Sequence, residues 1–172
     1  MLGCLIFTPC AAQADENAGG AFEQKIKAGL VYNFLKYTVW PQMENTPDRG
    51  KLNVCLFGGD PFDGYLSPLE GRTAQQELIV ILKLKHIEQT EVCSLIFVHK
   101  SQVGRVPDLL AFLKGKPALT VSDIPDFAQE GGMVEMAKED EKINLYINKG
   151  AVDHAGLDIQ KRMLRLAKLV SR

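Results

Sequence analysis

LNVCLFGGDPF, residues 52–62, decides the fold class. Its first six residues form a mostly apolar run of strand length, as expected of a largely buried strand. Gly58-Gly59 then turns the chain. Asp60 fits the N-cap of a following helix and Pro61 its first helical position. The predicted helix is short, ending near Leu69 before Gly71. A buried strand feeding a helix through a glycine turn is a building unit of α/β sheets.

Downstream, residues 78–82 and 92–98 read as further strands, with 86–91 as the loop between them. Residues 107–114 read as a helix with Leu109, Leu110 and Leu113 on its apolar side, closed by Gly115. Residues 118–121 are a fourth strand, after which Ser122 or Asp123 caps a brief helical turn carrying Phe127. Beyond Gly131-Gly132 the pattern becomes a hairpin, 133–137 and 143–147, joined by the charged turn 138–142. Its second strand alternates Ile143, Leu145 and Ile147 with Asn144, Tyr146 and Asn148. Ile159, Met163, Leu166 and Val170 predict a terminal amphipathic helix, with Lys161, Arg162, Arg165 and Lys168 on its solvated side.

Upstream, Phe22, Ile26, Leu30, Phe34 and Tyr37 recur at helical spacing and predict a helix over 22–38. Trp40-Pro41 ends it, since proline disfavours helix at the preceding residue. A polar loop, 42–51, follows. The expected architecture is one α/β domain over 22–172. Its mixed, mostly parallel sheet is flanked by helices and completed by a C-terminal antiparallel hairpin and terminal helix.

The first fourteen residues, MLGCLIFTPCAAQA, read as an export signal ending at the small-x-small site Ala12-Gln13-Ala14. The run is too short for the roughly 20 residues of a membrane-spanning helix. No Lys or Arg precedes it, so either the signal is truncated at its start or the segment is a disordered or packed N-terminus; we read it as the export signal. Cleavage near Ala14 would leave 15–21 as a flexible N-terminus. The remainder has the length of one ordinary domain.

Composition narrows the function. Apolar content of 46% and charged content of 24% describe a soluble globular chain. A net charge of −1 supplies no field toward nucleic acid or acidic lipid. The turn FGGDPFDG carries neither GK[ST] nor GxGxxG, and Asp60 would repel a phosphate there. His86, His99 and His154 lie at no metal-ligand spacing, and GxSxG is absent. No catalytic residue, metal ligand or cofactor is therefore assigned.

Once Cys4 and Cys10 leave with the signal, Cys55 and Cys93 remain, both in strand-like runs. A disulfide between them would stabilise the fold by about 4 kcal/mol. Two buried free thiols are the alternative. Trp40 is expected to pack under the first helix, and Gly131-Gly132 to form a tight strand entry.

KAGLVYNFLKYTVWP, VCLFGGDPF, YLSPLEGR, CSLIFV, LTVSDIPDFAQEGGMVEM, INLYINKGA and LRLAKLV, in this order, resemble the YfiR-like family of periplasmic proteins over residues 25–170. That resemblance implies a non-enzymatic α/β protein, often a homodimer. Such a protein binds the periplasmic sensor domain of an inner-membrane signalling enzyme, typically a diguanylate cyclase, and represses it. No nucleic acid and no direct membrane insertion are involved. The resemblance also implies a disulfide between Cys55 and Cys93. It marks Trp40, Pro41, Asp60, Pro61, Gly131, Gly132 and Asn148 as motif positions with structural roles. Some relatives carry a second cysteine pair flanking the GGM segment; residues 127–136 contain no cysteine. Two alternatives stand beside this expectation. One is an accessory to another membrane sensor, such as a histidine kinase. The other is a periplasmic small-molecule binder using a cleft at the carboxyl ends of parallel strands.

Overall fold

A computed structural model describes residues 13–41, 50–140 and 142–170. The predicted export signal therefore lies outside the described residues over 1–12, and the polar loop over 42–49. Helix α1 (Gln13–Tyr37) runs into β1 (Thr38–Val39). The main sheet begins with β2 (Lys51–Phe57), β3 (Thr73–Ala74), β4 (Glu77–Leu84) and β5 (Leu95–Val98). It continues through α2 (Val106–Phe112), β6 (Leu119–Ser122), β7 (Val134–Glu139) and β8 (Lys142–Asn148). The chain ends with α3 (Lys149–His154), β9 (Asp158–Ile159), α4 (Lys161–Leu164) and β10 (Ala167–Val170).

The eight-stranded sheet has the order β10-β8-β7-β6-β5-β2-β4-β3. Its centre, from β7 to β4, is parallel, whereas β8 runs antiparallel to β7 and β3 antiparallel to β4. A separate pairing joins β1 to β9. β2 is buried on both faces because successive side chains feed two cores. Leu52, Val54 and Leu56 join Phe34, Leu35, Phe62 and Leu66 on the α1 side. Cys55 and Phe57 join Leu109, Leu113 and Phe127 on the α2 side. Helices and irregular segments thus cover both faces of one mostly parallel sheet, with the expected antiparallel strand pair at its C-terminal side.

Four local expectations are corrected. Residues 15–21, expected as a flexible N-terminus, lie within helix α1, which starts at Gln13. No α-helix follows Asp60: Asp63 (φ 47°) and Gly64 (φ 82°) take left-handed backbone, leaving turns and a short 3-10 helix, Ser67–Leu69. The segment expected as loop over 86–91 is a 3-10 helix, Ile87–Val92, so the third strand starts only at Leu95. The terminal helix is reduced to the single turn α4, because 167–170 pair with β8 as β10. The open edge of β8 captures a segment whose apolar spacing is helical, a tertiary override of local pattern. Among the described residues no helix is long and apolar enough to cross a membrane.

Candidate functional site

Cys55 and Cys93 form a disulfide, with Cα atoms 5.9 Å apart. Cys55 sits in the middle of β2 on the α2 face, and Cys93 follows the 3-10 helix Ile87–Val92. The bond stitches the β4-to-β5 crossover onto the central strand. Asn53 Nδ2 donates to Val92 O beside it (2.7 Å), and Trp40 Nε1 donates to Ser94 O (3.0 Å). Trp40 packs against the α1-side core, as its position at the helix end implied. Pro41, next to it, is exposed.

The sheet order reverses between β2 and β5, where the loops after the two strands leave toward opposite faces. Ligands of open α/β sheets bind in such crevices. Here the chain fills the place with its own groups. Gly58 has φ +97°, and a Cβ on it would lie 2.3 Å from Gln102 Cγ. Ser101 Oγ donates to Gly58 O (3.2 Å) and lies 2.9 Å from His99 Nδ1. Arg105 caps the arrangement, its guanidinium 4.9 Å from the Phe57 ring centre. Asp60 acts locally, as Oδ1 accepts from Phe62 N (3.0 Å) and Oδ2 meets Lys83 (3.7 Å). Pro61 starts a turn instead of a helix.

A second ordered region runs from Ser122 through Gly132 to Asn148. Gly131 takes φ +111° and Gly132 lies against Phe127, where a Cβ would come 2.2 Å from the ring. Only glycine fits both demands. Buried side chains tie down the backbone around them. Glu135 accepts from Asp126 N (3.3 Å) and Ala128 N (3.2 Å). Thr120 Oγ1 accepts from Met133 N (3.0 Å). Asn148 donates to Ala128 O (2.9 Å) and accepts from Ala151 N (3.0 Å), capping α3. Of these residues the sequence marks Gly131, Gly132 and Asn148 as motif positions and Ser122 and Phe127 as parts of a capped turn. Glu135 and Thr120 went unnoticed, because a polar residue within a strand run gives no sign of which loop amide it will meet.

An ionic chain fastens α1 to this region. Lys27, 3% exposed, bonds Glu23 (2.6 Å) and Asp123 (2.7 Å), and Glu23 also meets Lys138 (3.0 Å). Burial pushes the Glu23 carboxyl up, but hydrogen bonds from Lys27 and Lys138 outweigh it and hold the group below the ordinary glutamate range. Burial likewise opposes the Lys27 charge, yet Asp123 and Glu23 hold its pKa above normal.

On the same helix, a 220 Å³ groove is lined by Lys25, Ala28, Gly29, Tyr32, Tyr65 and Leu69. The histidines do not converge. His86 and His99 each precede a 3-10 helix, and His154 ends α3. Among the described residues no group of His, Cys, Asp and Glu is placed to hold a metal.

No curated protein matches the chain. One solved structure with the same fold is the ABC domain in complex with L-Trp from Streptococcus pneumonia. It matches with a TM-score of 0.52 and 9% identity. The match covers 86% of this chain but only 60% of that one, so the chain spans under two thirds of that structure's length. A family model described as YfiR/HmsC-like matches residues 24–168, which include the disulfide, the Gly132 region and nearly all of the sheet. The chain belongs to the YfiR/HmsC-like family.

Proposed function

We propose that this protein binds the periplasmic sensor domain of an inner-membrane diguanylate cyclase and represses it, working without enzymatic activity and as a homodimer. The family match carries this reading, because the YfiR-like family is one of periplasmic, non-catalytic regulators. The disulfide is in keeping with an oxidising compartment, which an export signal cut near Ala14 would deliver the chain to. Repression requires only that docking favour the inactive state of the sensor. A hundredfold preference, about 2.7 kcal/mol, would hold an evenly poised sensor roughly 99% inactive.

Deleting the gene tests the proposal. Cyclic-di-GMP and surface attachment should rise and return to normal when the gene is restored. Unchanged levels under several envelope stresses would contradict it. A deletion that changed only the phosphorylation of a response regulator would assign the protein to a histidine kinase sensor instead.

A further inference from the structure

We propose that the outer edge of β10 is a strand-addition site for an extended segment of the membrane partner that combines acidic and apolar residues; this rests on the regulatory reading above. The two edges of the sheet differ. At one edge, β3 is two residues long, and the adjoining turn is tied down by Gln75, whose side-chain amide donates to Leu35 O in the last turn of α1 and to Thr38 O in β1 (both 2.7 Å). At the other, β10 pairs with β8 on its inner side and with nothing on its outer side among the described residues. An edge strand left in this state presents a row of unpaired N–H and C=O groups.

The side chains at this edge are those of an interface. Leu166 is 65% exposed and Leu169 57%, among the most exposed large apolar residues described. Leu169 is in register with buried Ile147, on the face where Ala167 packs against the main core. An added strand would therefore extend that core. Lys168, the kind of charge that normally discourages edge pairing, is drawn sideways onto β8. Its ammonium lies 3.1 Å from the Tyr146 hydroxyl and 3.9 Å from Glu139.

Charge selects the occupant. Lys161 and Arg165 are exposed and form no ion pair among the described residues; Arg162, held on Tyr37, and Lys168, beside Glu139, belong to the same basic stretch of chain leading into β10. A second copy would set this basic group against itself, whereas an acidic strand complements it. Main-chain bonds would supply affinity and the alternate side chains specificity.

The test uses the full chain in cells of the source organism, with a photo-crosslinking residue at position 169 and, for comparison, at exposed position 103. Position 169 should trap an acidic segment of an inner-membrane sensor's periplasmic domain, and position 103 should not. Leu169→Asp should lower sensor capture about tenfold or more. Arg165→Glu, an exposed change that leaves packing intact, should lower it several-fold, with the disulfide and melting temperature unchanged. Capture through 103 but not 169, crosslinking of 169 to a second copy, or wild-type capture by both variants would overturn the site. So would failure at both positions when gene deletion still raises cyclic-di-GMP. Failure at both positions with unchanged cyclic-di-GMP would overturn the regulatory reading as well.

Discussion

The segment leading to Cys93 and the segment leading to Gly132 are both irregular stretches packed on the α2 face of the sheet, but different chemistry holds them. The first is fixed by a covalent bond from Cys93 to the central strand. The second is held by Glu135, Thr120 and Asn148, each bonded to backbone groups of the loop, and by the Lys27 ion pair to Asp123. Reductant can act on the first and has no bond to break in the second. Acid reaches the second region through Glu23, whose lowered pKa rests on its bonds to Lys27 and Lys138. Among the described residues, a redox signal acting on cysteine would enter through the Cys55–Cys93 bond.

The largest expected effect comes from removing the covalent stitch. Cys55→Ala with Cys93→Ala should cost about 4 kcal/mol in denaturant unfolding, by the loss of loop closure in the unfolded chain. A cost below roughly 1 kcal/mol would mean that the crossover is held by its hydrogen bonds alone, and the contrast would collapse. Next in size is Asn148→Ala, which removes the cap of α3 and leaves Ala128 O unpaired in a buried setting. About 2 kcal/mol should be lost, with reductant sensitivity unchanged.

The smallest effect is that of pH. The Glu23 carboxyl is held below its ordinary pKa in the folded state, so its contribution is complete above the unfolded value and disappears as pH falls through the folded one. The raised pKa of Lys27 keeps its contribution in place throughout that range; it is lost only in alkali, as pH rises through the folded value. Melting temperature should fall more steeply below about pH 4.5 in the wild type than in Glu23→Gln. Parallel curves would remove the ionic chain from the account.

The parts legible in sequence were those governed by a short period. The apolar runs at 52–57, 78–82 and 118–121, and the alternation at 143–147, became β2, β4, β6 and β8, because burial on one or both faces writes itself into neighbouring residues. The family resemblance pointed to the bond between Cys55 and Cys93. The misses share a physical cause. Leu166 and Val170 have helical spacing with Met163, but the strand β8 offered their segment backbone partners that no local rule records. Asp60-Pro61 has the chemistry of a helix start, and left-handed Asp63 and Gly64 stop it three residues later. Glu135 and Lys27 were invisible because a buried charge is identified by its partners, and these lie far along the chain.

The most direct test of the central contrast is hydrogen exchange followed residue by residue, with and without reductant at neutral pH. The account predicts that reduction speeds exchange at Cys93 and across β5, while the amides of Asp126, Ala128 and Met133 keep their protection. Equal loss of protection in both regions would contradict it, showing that the two are one cooperative unit held together by the disulfide.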